Sequence, residues 1–175
     1  MRYIKLNIVA ILLCLASAMA VTSCEDEGYD EYDAGATPTA ALNGEWWINI
    51  ADEATGQILI PHALHRTFDA NNGKMYISDR FYGDTSPPLT YFGWELIAQV
   101  NPDVQNLAFS ATDAFNEADE SSVTITEGRV FPRGGRSQTG VVTDSIYFKA
   151  VFDYDPETVL IFSGHKRTGF IEDEY

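Results

Sequence analysis

Apolar side chains recur at every second position through most of this chain, in short runs broken by glycine, proline, asparagine and aspartate. A period of two marks extended strand, because successive side chains point to opposite faces of a sheet and one face is buried. In the clearest run Ile146, Phe148, Ala150 and Phe152 oppose Tyr147, Lys149 and Asp153. The first run starts at Gly44, whose missing Cβ lets the chain turn sharply, and sets Trp46, Ile48 and Ile50 against Glu45, Trp47 and Asn49. Further strands are expected over Pro61 to Phe68 and Lys74 to Asp79, joined around the hairpin signal Asn71-Asn72-Gly73. Tyr91 to Val100 puts Phe92, Trp94, Leu96, Ala98 and Val100 on one face, and a turn at Asn101-Pro102-Asp103 leads into Val104 to Ser110. Ser122 to Phe131 and Thr158 to Ser163 complete the set. Pro87-Pro88 marks a loop, Pro132 to Gly140 another, and Thr112 to Glu120 is the one short helical turn.

Eight strands with short connections leave no room for crossover helices, so the pairing is antiparallel and the fold class all-β. An eight-stranded antiparallel up-and-down barrel is expected as one domain over residues 41–175, with an immunoglobulin-like sandwich as the rival. The interior of such a barrel is either filled by side chains or holds one small ligand.

Residues 1–23 read as a lipoprotein signal peptide. Arg2 and Lys5 open it with positive charge, and the stretch from Ile8 to Val21 is apolar but too short to span a bilayer comfortably. Small residues precede a cysteine at its end, in Val21-Thr22-Ser23-Cys24. The chain has 2 cysteines, Cys14 inside the leader and Cys24 at its end. The domain therefore has no thiol for a disulfide, a cysteine zinc site or a thiol nucleophile. Residues 24–40 begin with a dense run of carboxylates from Glu25 to Asp33 and are expected to form an acidic, disordered tether. The formal net charge of −15 becomes −17 when Arg2 and Lys5 leave with the leader. Nucleic acid is thereby excluded as a partner.

Several stretches resemble known families. Gly44-Glu45-Trp46 resembles the first strand of lipocalins and other calycins, and Val21-Thr22-Ser23-Cys24 resembles the lipobox of bacterial lipoproteins, which are cut before a cysteine that is then acylated. The acidic run after Cys24 is similar to the surface-export signal of Bacteroidetes lipoproteins. Leu42-Asn43-Gly44-Glu45-Trp46-Trp47, Phe92-Gly93-Trp94-Glu95, the stretch Gly140 to Phe148 and the stretch Ser163 to Phe170 together resemble a Bacteroidetes lipoprotein family named as lipid-binding putative hydrolases. The resemblance covers Leu42 to Tyr175 and implies a lipocalin-like, calycin-like barrel. It further implies an outer-membrane lipoprotein held through Cys24, on the periplasmic or the cell-surface side, with a lipid or small apolar ligand. In lipocalins a basic residue near the last strand packs across the first tryptophan. Arg167 stands at that place, so Gly44, Trp46 and Arg167 are expected to close the barrel, with the guanidinium over the indole.

The polar residues give weaker signals. His62 and His65 are three apart, which on a helix would face one metal but on a strand points them to opposite faces. The β-rich surroundings favour a strand, so neither a metal nor a cofactor is expected. His165 has Asp144 or Asp153 as an orienting partner and Ser145 or Ser163 as a nucleophile, but no Gly-x-Ser-x-Gly elbow exists and no catalytic residue is assigned. Strict alternation from Val123 and Ile125 to Phe131 turns Glu127 and Arg129 into the interior, where charges persist only when paired or serving a ligand. A bulge near Gly128 would instead turn both outward. Phe92, Trp94, Phe148 and Phe152, with Glu127 and Arg129, form the candidate ligand-binding set. Trp47, Tyr82 and Tyr91 are candidates for stacking on sugar rings from the surface.

Three functions fit these readings. The first is a membrane-anchored lipoprotein binding a lipid or other small apolar ligand. The second is a surface module with a solid core that binds glycans or a protein partner, and the third is a lipid or ester hydrolase. The anchor is directly testable: acyl chains contribute roughly 0.8 kcal/mol per buried methylene, so Cys24→Ala should release the protein from the membrane fraction into the soluble one. Continued sedimentation of that variant with membranes would remove the lipid anchor from consideration.

Overall fold

A computed structural model describes residues 37–80 and 93–175. The leader, Cys24 and the tether to residue 36 lie outside the described residues, as do Tyr82, Tyr91 and Phe92. Eight strands follow one another: β1 (Gly44–Asp52), β2 (Ile58–Asp69), β3 (Met75–Ser78), β4 (Ile97–Asp103), β5 (Ala108–Phe115), β6 (Ser122–Arg136), β7 (Val142–Phe152) and β8 (Asp155–Lys166). Each pairs antiparallel with the next, and β8 returns to pair with β1, closing the barrel. The expected up-and-down barrel is the fold, and the two-sheet sandwich is not.

Alternation sets the interior. Trp46, Ile48 and Ile50 of β1 and Ile146, Phe148, Ala150 and Phe152 of β7 are all buried, as the period-two pattern requires. Met75, Ile77, Ala98, Val100, Val123, Ile125, Leu160 and Phe162 join them in one core. The aromatic centre is packed: the Phe148 and Phe162 rings stack with centroids 4.4 Å apart, and Phe109 meets Phe148 at 5.8 Å.

Several strands outrun their sequence limits. β4 continues through Asn101 and Pro102, which pairs with Phe109, so the turn falls at residues 104–107 instead. β5 takes Thr112 to Phe115, where a helical turn was expected; the bend comes after it, closed by the Asn116 N–H donating to Ser121 O at 2.9 Å. β6 runs through Pro132 to Arg136 because a register shift between Phe131 and Gly135 removes the proline from the regular ladder.

One end is plugged. A 3-10 helix over Ala40–Leu42 lies across it with Leu42 fully buried. The Trp46 indole N–H donates to Thr67 Oγ1 at 2.9 Å, and the Thr67 hydroxyl donates to Leu42 O at 2.6 Å, so the one polar atom of the ring is satisfied indoors. The cation over that ring is Lys166, its Nζ 5.7 Å from the centroid, and not the expected Arg167. Parity is the reason: Trp46 pairs with Lys166 across the β1–β8 ladder and shares its face, which turns residue 167 the other way. Arg167 closes the same end by different bonds. Its backbone N–H donates to Glu45 O at 2.8 Å, its Nε to both Glu174 oxygens at 2.8 and 2.9 Å, and its NH1 to Glu45 Oε2 at 2.6 Å. Gly44 leaves space for these side chains: a Cβ there would come within 2.9 Å of Lys166 Cε and 3.2 Å of the Trp46 ring.

The closing ladder leaves no space at Gly164, where a Cβ would meet Trp47 O at 1.9 Å. Gly164→Ala must push β1 and β8 apart and should cost about 3 kcal/mol or more. Gly140→Ala, with open space around it but a backbone φ of +90°, should cost about 1 kcal/mol. Thermal melts of the two variants beside wild type check the ranking; equal losses would show that the β1–β8 approach is not the tight one.

Candidate functional site

The interior is not wholly apolar. Along β2 the inward row is Ala63, His65 and Thr67, all buried. The ladder sets His65 opposite Trp46 on one side. On the other, Thr67 pairs with Ile77 and Arg66 with Ser78, and one step further along that register Asp79 follows β3 beside His65. Both side chains have 0% exposure.

His65 Nδ1 lies 3.1 Å from Ala63 O. A carbonyl can only accept, so this nitrogen carries the proton and Nε2 presents its lone pair. Nε2 has no hydrogen-bond partner in the protein. The ring also meets the edge of Phe162, centroids 5.7 Å apart. Asp79 Oδ1 accepts from Leu96 N–H at 2.9 Å, and the Asp79 N–H donates to Leu96 O at 3.0 Å. Oδ2, like Nε2, has no partner. Burial holds the imidazole down at about 4, and it pushes the Asp79 carboxyl up to about 6 against the backbone N–H donors around it.

The expected ligand-binding residues are distributed over three places. Phe148 is a core filler, stacked on Phe162. Phe152 and Trp94 lie at the open end, where Trp94 Nε1 donates to Tyr154 OH at 3.0 Å and Phe152 stacks on Tyr154 at 5.3 Å. With Leu160 they line a narrow cleft of about 10 Å³. Phe92 lies outside the described residues. Glu127 and Arg129 face outward, by the bulge and not by strict alternation. Thr126 pairs with Lys149 and Arg129 with Tyr147, so β6 carries one extra residue, Glu127, at φ 56°. Gly128 then turns inward against Phe109, Val130 enters the core, and Phe131 is turned out to 42% exposure. Glu127 takes Lys149 Nζ at 2.7 Å, shared with Glu53 at 2.8 Å. On the outside Glu127 and Arg129 border a shallow depression of about 310 Å³ with Asn101 and Asp103.

The remaining candidates have structural partners. His62 and His65 point to opposite faces, and His62 stacks on Tyr175 at 3.7 Å. Tyr175 also covers Trp47, ring centroids 5.4 Å apart, so that tryptophan is only 8% exposed and offers no stacking platform. His165 directs its nitrogens to Lys166 O at 3.2 Å and to Tyr175 OH at 3.3 Å, and Asp144 accepts from the Arg133 N–H at 2.9 Å. These bonds do not form a serine–histidine–aspartate relay. Among the described residues no three histidines, cysteines or carboxylates converge as a metal site. A second depression, of about 510 Å³, lies at the closed end between Gly44, Glu45, Arg66, Thr67 and Phe68.

A family described as lipid-binding putative hydrolase matches the chain over residues 31–171. The chain belongs to that family. The matched span holds all eight strands and both members of the interior polar pair. No curated protein matches the chain.

The pairing of His65 with Asp79 escaped the reading by residue type. Its signal is present in the hairpin: register counted outward from Asn71-Asn72-Gly73, combined with the inward parity of Ala63 and Thr67, places the two residues side by side.

The pair acts on stability in opposing directions. Free imidazole titrates near 6.5, so the unfolded chain binds a proton that folded His65 refuses, and stability is lost as pH falls from 6.5 to about 4. Asp79, raised from 3.8 to about 6, contributes stability at low pH that is lost as pH rises through about 6. The two slopes offset each other between those limits. Asp79→Asn removes one of them, so the variant should lose roughly 2–3 kcal/mol relative to wild type on going from pH 6.5 to pH 4. Urea unfolding of both proteins across that range checks this, and parallel profiles would contradict the assignment.

Proposed function

We propose that the chain is a lipoprotein, anchored in the outer membrane through Cys24, whose barrel binds a lipid or another amphiphile of that size. The observation that carries this reading is the family match over residues 31–171, which spans the closed eight-stranded barrel. Barrels of this size are able to hold one small ligand. The dense acidic run after Cys24 supports a tether that holds the domain off the membrane, on its periplasmic or external side.

A second reading has its own support. The stacked Phe148 and Phe162, with Phe109 tilted against them, fill the middle of the barrel, as in a surface-binding module with a solid core. Native mass spectrometry of protein purified from its own cells distinguishes the two. A retained lipid, removed by organic extraction and restored by adding it back, is the expected result. Protein that carries no lipid and takes up none from mixed vesicles would favour the surface module.

A further inference from the structure

The short turn after β8 has its polarity reversed. In the 3-10 helix Ile171–Asp173 the carboxylate-bearing Asp173 is 1% exposed, while Ile171 is 87% exposed and Phe170 before it 59%. Single apolar side chains at a surface are ordinary, but a buried carboxylate beside two large apolar groups in solvent is not. Hydrogen bonds hold the arrangement in place. Asp173 accepts from Thr139 N–H at 2.8 Å and from the Thr168 hydroxyl at 2.7 Å, and Phe170 N–H donates to Thr168 Oγ1 at 3.3 Å. The Thr139 bond fastens the turn to the β6–β7 connection, where Val141 and Val142 are also exposed. One face at the closed end therefore presents four apolar side chains.

Charge is distributed unevenly along the barrel axis. Arg133 and Arg136 stand exposed on the β6–β7 hairpin at the closed end. Arg136 donates to Gly140 O at 3.2 Å, and neither guanidinium has a carboxylate partner among the described residues. Glu172 is the exposed carboxylate of the turn itself. At the opposite end the connections after β1, β5 and β7 carry Glu53, Glu117, Asp119, Glu120 and Asp153. A surface of lipid phosphates attracts free arginines and repels such a carboxylate cluster. The chain also enters the barrel at the closed end, through Thr37 and the Ala40–Leu42 plug. Cys24 stands thirteen residues before Thr37, a length of chain that reaches at most about 45 Å.

Resting on the anchored-lipoprotein reading above, we propose that this face of the closed end is a membrane-docking surface. Phe170, Ile171, Val141 and Val142 enter the headgroup boundary of the bilayer that holds the anchor, and Arg133 and Arg136 meet lipid phosphates. The acidic open end points away. The tether sets how far the domain stands off, and this face sets how it settles when it reaches the surface.

The test uses full-length lipidated protein, its acyl chains verified by mass spectrometry. Once the leader with Cys14 is removed and Cys24 is acylated, an introduced cysteine is the only free thiol. A fluorescent dye is attached at Gln138→Cys on the docking face or at Glu157→Cys at the open end, and each protein is placed in vesicles of phosphatidylethanolamine and phosphatidylglycerol with brominated acyl chains. Bromine quenches a dye that lies at the bilayer boundary, so the Gln138 dye should be quenched about fivefold more than the Glu157 dye. Phe170→Ser combined with Ile171→Ser should bring it down to the Glu157 level while the protein still sediments with the vesicles. Arg133→Gln with Arg136→Gln should roughly halve the quenching. If acylated protein sediments but the two dyes are quenched alike, the docking face is wrong and the anchor stands. If the protein is not acylated, the anchor falls, and stronger quenching of the Gln138 dye by added vesicles keeps the face; without that quenching both fall. Quenching undiminished by the two serine substitutions overturns the face. So does a Gln138 dye that becomes shielded without vesicles as protein concentration rises, since a second copy then occupies it.

Discussion

The ladder between β1 and β8 is the constraint from which the rest of the structure follows. Seven residues of β1, Trp46 to Asp52, pair with Leu160 to Lys166, and the approach is close enough that only glycine fits at position 164. Closing the sheet there gives every strand two neighbours and fixes which face is inside. Once Trp46 points inward, its indole has to find an acceptor, and Thr67 and the carbonyl of Leu42 provide a chain of two bonds that also docks the plug. The same closure fixes parity on the last strand. Lys166 is thereby over the ring and Arg167 outside it, in a small ion network with Glu45 and Glu174, while Arg66 bonds the other Glu45 oxygen at 2.9 Å.

Much of this was legible in the sequence, because a barrel with one buried face writes itself as a period of two. The eight strands, the inward rows of β1 and β7 and the plugged Trp46 all follow from alternation. Alternation fails where the chain inserts a residue. At Glu127 one extra residue in β6 reverses every later position on that strand, so Phe131 emerges and Val130 enters, and no count of apolar residues reveals the slip in advance. Turn residues misled in a related way. Pro102 and Pro132 read as breaks, yet one ends a strand and the other occupies an irregularity within it. Arg167 was placed over Trp46 by the lipocalin resemblance, whereas the pairing register selects Lys166.

The candidate site was legible only in pieces. His65 reads as half of a histidine pair and Asp79 as the polar end of a strand, and neither residue alone suggests chemistry. Only hairpin register unites them, and only burial makes them costly. The exposed carboxylates, far more numerous, are engaged in ordinary surface tasks, as where Glu127 and Glu53 share Lys149, and the buried Asp173 is satisfied by Thr139 N–H at 2.8 Å and the Thr168 hydroxyl at 2.7 Å. Charge density therefore points away from Asp79, the buried carboxylate with an unpartnered oxygen. Tyr175 hides a second feature, since by covering Trp47 it turns an apparent surface platform into part of the packed wall.

The topology also governs how the molecule assembles. Every pairing but one joins consecutive strands, while the closing contacts bring Glu45 to Arg167 across 122 positions. The meander can zip up locally, but the final seam carries the loop-closure entropy of nearly the whole domain. Until it forms, β1 and β8 are bare edges of a curved sheet, each the natural complement of the other. At high concentration the complement nearest to hand belongs to another copy, so chains caught before closure are primed to exchange their terminal strands.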